Sequence, residues 1–159
     1  MEAEKTLTNE EIIRELLDLL KKNAMKEPAN DVFEICSYVD GLEKKIASMT
    51  EELTSMQNQI REMQEDTLIN NAKKALAEAQ ERLNARCEQI KSQVYEVKIQ
   101  VKSTAKSIVD EAKAKGRAAL YRVTEFAGMK KRLLNVRTAV KDAIVSTDRD
   151  IARTALLAK

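Results

Sequence analysis

Side chains that could carry out catalysis are scarce in this sequence. It contains no histidine, so it lacks both the commonest general base and the usual activator of a serine or cysteine nucleophile. The neighbouring carboxylates Glu10 with Glu11 and Glu51 with Glu52 could in principle serve acid–base chemistry. Such pairs are more typical of solvated helix faces, because charged side chains are rarely buried. The sequence therefore predicts a protein that is not an enzyme.

The sequence also lacks the patterns that bind cofactors. A di-iron helical bundle needs Glu-x-x-His pairs, which cannot form without histidine. Gly116 and Gly128 stand alone, without the Gly-Lys-Ser/Thr loop that cradles phosphates. No short spacing joins Cys36 to Cys87, so we expect two free, partly buried thiols in a reducing cytoplasm. We expect no cofactor, no metal ion and no small-molecule substrate.

A basic run is the strongest candidate for a binding site. The formal net charge of +2 conceals two unequal halves. Residues 1–70 hold 8 Lys or Arg and 16 Asp or Glu, a net −8, whereas residues 71–159 hold 20 and 10, a net +10. Residues 113–141 contain nine basic residues against the single acid Glu125. The nine basic residues are Lys113, Lys115, Arg117, Arg122, Lys130, Lys131, Arg132, Arg137 and Lys141.

This basic run has three interpretations. It could contact the phosphates of a nucleic acid, where binding gains from counterion release. It could lie on an anionic membrane surface. It could instead pack against the acidic first half of the chain, with its charges paired or solvated, which is the interpretation that we favour. No recognised nucleic-acid-binding motif accompanies the run.

The composition predicts the elements that must carry these residues. Of the 159 residues, 43% are hydrophobic and 34% charged, while aromatic residues make up 3%. Three glycines and one proline are too few for a turn-rich all-β fold. A chain of this length is typical of one domain. We therefore expect an all-α protein, with a single helical domain over residues 1–159.

Apolar residues at helical spacing predict five helices. Thr8 or Asn9 can cap the first, Pro28 is expected to end it, and Gly116 is expected to end the third. Ser146 or Thr147 is expected to cap the last. The predicted helices are a short N-terminal helix at 8–26, two long helices at 31–65 and 68–113, a basic amphipathic helix at 117–145 and a short C-terminal helix at 147–157.

The second predicted helix carries a sharp heptad pattern. Ten apolar residues alternate at spacings of three and four, which is typical of a coiled coil. Its later positions are filled by methionines, which specify their partners loosely. We expect this interaction seam to mediate self-association or to bind partner helices. The seam consists of Val32, Ile35, Val39, Leu42, Ile46, Met49, Leu53, Met56, Ile60 and Met63.

The phase of the two long stripes predicts a turn between them. Continuing the heptad beyond Met63 leads to Thr67, Asn70 and Lys74, whereas the observed stripe begins about two residues later. At about 100° per residue, one continuous helix would place its two stripes on nearly opposite faces. We therefore expect a turn near residues 65–71 and an elongated antiparallel helical hairpin, resembling a coiled-coil bundle. Its acidic and basic arms have opposite net charges, which suits this pairing.

Two stretches resemble a known family. They are NDVFEICSYV at residues 30–39 and KAKGRAALYRV at residues 113–123. Together with the acidic N-terminal helix, they resemble an uncharacterised helical family of gut Firmicutes that is often found on integrative conjugative elements. That family has no known activity, so the resemblance transfers no catalytic residue. It implies a bacterial cytoplasmic accessory protein and adds weight to an association with nucleic acid.

These observations together predict a non-enzymatic interaction or scaffolding protein. We expect it to associate through its helix seams and to form a homo-oligomer. The first alternative is nucleic-acid binding through residues 113–141, and the second is peripheral binding to an anionic membrane. The first residues have neither the basic nor the apolar part of a signal peptide, so we expect a cytoplasmic protein.

Overall fold

The fold is all-α, as the composition predicts. The structure is a computed structural model, and it describes residues 6–62 and 70–157. Within these ranges every regular element is helical, and there is no strand. The helices are α1 (Glu11–Lys22), α2 (Lys26–Glu62), α3 (Asn70–Lys115) and α4 (Phe126–Leu157), with 3₁₀ segments at Leu7–Asn9 and Arg117–Glu125.

The chain divides into two compact units. The first unit comprises Met1–Glu43 and Gln93–Asn135, and the second comprises Lys44–Ser92 and Val136–Lys159. The long helices α2, α3 and α4 each contribute one segment to the first unit and one segment to the second. Helix α1 and both 3₁₀ segments belong to the first unit.

Helix α1 forms because its apolar residues recur at helical spacing along one face. Glu11 in its first turn and Lys22 in its last turn match the helix dipole. The helix ends at Lys22, and the next residue, Asn23, donates from its side-chain Nδ2 to the carbonyl of Leu19 at 2.8 Å. Its buried residues are Ile13, Leu16, Leu17 and Leu20.

The boundary between α1 and α2 differs from the prediction. We expected Pro28 to end the first helix, but α1 ends at Lys22 and Pro28 lies in the first turn of α2. Proline is tolerated there because its missing N–H would have no partner within the helix. The Ala29 N–H donates to the carbonyl of Met25 at 3.1 Å and closes this turn. Helix α2 therefore begins at Lys26, before the predicted start at residue 31.

Helices α2 and α3 lie side by side in the second unit. Gln80 Nε2 donates to the carbonyl of Leu53 at 3.2 Å and to Gln57 Oε1 at 3.0 Å. Because few residues separate the end of α2 from the start of α3, this contact requires the two helices to run antiparallel. The expected turn at residues 65–71 falls mostly outside the described residues, and its last two residues already belong to α3.

The C-terminal helices also differ from the prediction. The predicted helix at 117–145 begins instead with a 3₁₀ segment at residues 117–125. The rest of it and the predicted helix at 147–157 form one continuous helix, α4. We expected Thr147 to be a cap, but it is a buried residue inside α4, where its Oγ1 donates to the carbonyl of Ala143 at 2.8 Å. Gly116 ends α3 as predicted, with a positive φ of 92°.

Each unit has an apolar core drawn from several helices. In the first unit the core includes Ile13, Leu16, Leu20, Val32, Ile35, Val39, Val97, Val101, Ile108, Leu120, Phe126 and Leu133. In the second unit it includes Ile46, Met49, Met56, Leu76, Leu83, Ile90, Val136 and Val140. Apart from Phe126, these core residues are aliphatic or methionine, which agrees with the low aromatic content of the chain.

Candidate interaction surfaces

The predicted interaction seam lies inside the chain itself. Val32, Ile35, Val39, Leu42, Ile46, Met49 and Met56 are all buried. Leu53 and Ile60 are partly buried, and Met63 lies outside the described residues. Because the chain's own helices cover these seven residues, they offer no free surface to a second molecule. A partner that binds the folded chain would therefore have to contact other faces of the protein.

Part of the basic run is neutralised by acids from the first half of the chain. Lys113 Nζ lies 2.5 Å from Glu15 Oε1 on α1. The hydrogen bond to Glu15 and the negative charge of Glu15 raise the pKa of Lys113. Lys130 Nζ lies 3.4 Å from Glu34 Oε1 on α2. These two pairs join acidic side chains of α1 and α2 to residues of the basic run.

Arg122 joins the 3₁₀ segment to α3. Its Nε donates to Glu125 Oε2 at 2.8 Å, and its Nη1 donates to Glu111 Oε2 at 2.5 Å and to Ser107 Oγ at 2.9 Å. The hydrogen bonds to Glu125 and Glu111 raise the pKa of Arg122. A guanidinium group suits this position because its planar fork can serve several acceptors at once. Arg122 therefore stabilises the fold and offers little charge to a partner.

Arg132 and two further lysines also form ion pairs in the first unit. Arg132 lies 3.6 Å from Glu96 on α3 and also donates to Gln100. Two additional pairs link the acidic start of the chain to α3. They are Glu10 with Lys102 at 3.4 Å and Glu43 with Lys98 at 3.2 Å. The opposite charges of the two halves thus meet within one chain, which supports the internal interpretation of the basic run.

Five residues of the basic run remain exposed without an ion pair to any described residue. Lys115 and Arg117 flank Gly116, where α3 ends, and Lys115 also matches the negative end of the helix dipole there. The other three lie on α4. The five residues are Lys115, Arg117, Lys131, Arg137 and Lys141.

Two large apolar side chains on α3 are exposed at neighbouring positions. Tyr95 is 64% exposed and Ile99, one turn later, is 48% exposed. They lie apart from the buried apolar residues of the same helix, such as Val94 and Val97, and they were not predicted from the sequence. The sequence does contain a signal for this pair. Tyr95 and Ile99 are four residues apart, so they share one helix face, and that face is not the buried one. The other large apolar residues that are exposed in the described part of the chain are Phe33, Tyr121, Leu134, Ile144 and Val145.

An open polar cleft lies beside α1. It has a volume of about 700 Å³, and its lining consists of polar and charged side chains. One wall carries the Glu15–Lys113 ion pair described above. The lining residues are Asn9, Glu11, Arg14, Glu15, Asp18 and Lys113.

The described residues contain no clustered ligands for a metal ion. No group of three or more His, Cys, Asp or Glu side chains in residues 6–62 and 70–157 comes together as a metal site. Cys36 and Cys87 are buried and free. Burial, followed by the negative charge of Asp40, raises the pKa of the Cys36 thiol to about 12. Among these residues no helix combines the length and apolar character needed to span a membrane.

The filled core and the ion-paired surface define an all-α helical bundle. The chain belongs to DUF6674, a family of unknown function, whose match covers residues 9–158. No curated protein and no solved structure has significant similarity to the chain.

Proposed function

We propose that this protein is a non-enzymatic interaction or scaffolding module that associates with a second copy of itself. The exposed pair of Tyr95 and Ile99 on α3 is the observation that supports this proposal. Large apolar side chains that sit together on an otherwise charged helix gain free energy when a partner covers them. The buried seam of α2 takes no part, because it forms the core of the chain.

The module is also proposed to be an accessory protein of a bacterial mobile element. The stretches at residues 30–39 and 113–123, which resemble a family of integrative conjugative elements, support this part of the proposal. Genome sequencing around the gene tests it. Neighbouring genes for integration or conjugative transfer would support the proposal, and their consistent absence across related genomes would contradict it.

Light scattering after gel filtration tests self-association. The chain has a mass of 18.0 kDa. Loaded at about 100 µM or above, where small transient interfaces become populated, the protein is expected to elute with an average mass above that of the monomer. A mass of 18.0 kDa at every loading concentration would contradict the proposal.

A second candidate function is binding to nucleic acid through the unpaired basic residues. Lys115 and Arg117 favour it, because both are exposed at the end of α3 and neither has an acidic partner among the described residues. Tyr121, which follows them in the same segment, is 61% exposed and could stack on an unpaired base. Lys130 and Arg132 are less suitable, since Glu34 and Glu96 already hold them.

Charge reversal tests this second function. The double variant Lys115→Glu/Arg117→Glu should weaken the binding of labelled single-stranded and double-stranded oligonucleotides. It should also lower the slope of log affinity against log salt by about 2, one unit for each lost phosphate contact. The control Lys44→Glu/Lys45→Glu reverses two exposed lysines on α2. Equal effects of the two variants, or no binding by the native protein at low salt, would exclude a site at the end of α3.

A further inference from the structure

We propose that the outer face of α3 in the first unit is a two-fold dimer surface, on which α3 of a second copy packs antiparallel. This inference rests on the proposed function and names its site and geometry. The surface consists of Tyr95, Glu96, Ile99, Lys102 and Ser103. We call it the α3 outer strip.

The α3 outer strip lies opposite the buried stripe of the same helix. Val97 and Val101 are 1% and 0% exposed. At about 100° per residue, Ile99 is roughly 160–200° around the helix from both of them. Tyr95, Ile99 and Ser103 follow one another at four-residue intervals, so they form a row along the exposed side. The chain's own core therefore leaves this row uncovered.

The strip is complementary in size to its own reversed copy. Consider an antiparallel pair with the two-fold axis at Ile99. A residue that lies a given number of positions before Ile99 in one copy then faces the residue that lies the same number of positions after Ile99 in the second copy. Tyr95, the bulkiest side chain of the strip, then faces Ser103 of the second copy. Ile99 faces its own counterpart at the axis. A large residue against a small one, with an aliphatic contact between them, allows the two helices to approach closely.

The strip is also complementary in charge to its reversed copy. The same register places Glu96 opposite Lys102 of the second copy. The Glu96 side chain is 66% exposed, and its contact with Arg132 is long at 3.6 Å. The Lys102 side chain is 41% exposed beside Glu10. Both groups can therefore interact across the dimer while they keep their internal partners.

A parallel pairing of the same faces is disfavoured. It would bring Glu96 against Glu96 and Lys102 against Lys102, and like charges repel. The match of size and charge to the reversed strip is therefore the reason to assign a second copy as the occupant. The strip offers only two large apolar side chains, so the interface belongs to the small, transient class. We expect a dissociation constant on the order of 10–100 µM.

Cysteine cross-linking tests the position of the two-fold axis. In the variant Ile99→Cys the two new thiols face each other across the axis, within reach of a disulfide. Oxidation with copper phenanthroline at about 100 µM protein is expected to give covalent dimers in high yield. The matched control is Tyr121→Cys, which lies in the same unit and is similarly exposed but lies off the strip. The unmodified chain, whose Cys36 and Cys87 are buried, is expected to give none.

The outcomes separate the inference from the proposed function. Equal or higher dimer yield from Tyr121→Cys would show collisional cross-linking and would overturn the inference. The variant Ile99→Glu, which places a charge at the axis, is a second test. Ile99 is 48% exposed, so a carboxylate at this position can stay in contact with water in the folded monomer. Loss of the dimer with unchanged helical circular dichroism would support the inference. If Ile99→Glu dimerised like the native protein, the α3 strip would be excluded and self-association would remain. If the native protein were monomeric throughout, both proposals would fall.

Discussion

Replacing Lys98 with methionine should destabilise the first unit more than the loss of an ordinary surface lysine. Lys98 Nζ lies 3.2 Å from Glu43 Oε1. This carboxylate oxygen is buried and accepts no hydrogen bond from any described residue. The side chain of Lys98 is only 20% exposed, and its Nζ also donates to Glu43 Oε2 at 3.4 Å. The substitution therefore leaves a shielded carboxylate oxygen without its cation.

The size of this effect follows from the burial of the pair. Interactions with a charged group are worth about 1.5–3 kcal/mol when they are shielded from water. The Glu43 side chain is 36% exposed, so water partly compensates for the loss and lowers that figure. We expect Lys98→Met to reduce the free energy of unfolding by about 1–2 kcal/mol. Helix propensity contributes little, because lysine and methionine are similar helix formers.

Urea unfolding followed by circular dichroism at 222 nm measures this difference. The control is Lys106→Met on the same helix, where the Lys106 and Asp110 side chains are 69% and 58% exposed. An exposed pair with this spacing contributes about 0.5 kcal/mol or less. The double variant Glu43→Gln/Lys98→Met should lose less than the sum of the single variants. If Lys98→Met and Lys106→Met were equally stable within about 0.3 kcal/mol, the shielding of Glu43 would be refuted.

Three further predictions concern the local structure of either unit. Asp40→Ala removes the carboxylate that accepts the N–H groups of Leu7 and Thr8 at 2.7 and 3.3 Å and the Thr8 hydroxyl at 2.8 Å. We expect it to lower the free energy of unfolding by about 1–3 kcal/mol and to speed amide exchange in the first 3₁₀ segment. Thr147→Val should change stability by about 0.5 kcal/mol or less, because the hydroxyl bonds back to the carbonyl of Ala143 inside the same helix and caps no helix end. Cys36 should react with iodoacetamide at pH 8 on the order of a thousandfold more slowly in the folded protein than in urea, since burial raises the pKa of its thiol to about 12 and leaves little thiolate.

Each of these predictions has a contradicting outcome. Unchanged exchange in Asp40→Ala would show that the 3₁₀ segment is held by other contacts. A loss of about 1 kcal/mol or more in Thr147→Val would indicate a helix cap. Fast alkylation of Cys36 without denaturant would contradict the burial of its thiol, and peptide mass spectrometry separates it from Cys87.

The sequence alone predicted those features of the fold that depend on a single helix. The three–four spacing from Val32 to Met56 predicted which face of α2 is buried, because that face follows from helical geometry alone. The end of α3 at Gly116 was predictable for a similar reason, since glycine readily adopts the positive φ found there.

The sequence did not predict contacts between segments that are far apart along the chain. The net charges of the two halves indicated complementarity, but the pairing of Lys130 with Glu34 depends on how α2 and α4 pack. Local signals also misled. Pro28 and Thr147 are typical of helix boundaries, yet one lies in a first turn and the other is buried inside α4. The outer pair of Tyr95 and Ile99 was not predicted, because the spacing of the buried apolar residues carries no information about which apolar residues stay exposed on the opposite face.

Sedimentation equilibrium over a range of protein concentrations tests self-association most directly. Between about 5 and 500 µM, an interface of the expected size should raise the weight-average mass from 18.0 kDa towards twice that value. The curves should fit a monomer–dimer equilibrium, because a two-fold contact closes after two copies. A mass that stays at 18.0 kDa across the whole range would contradict the account.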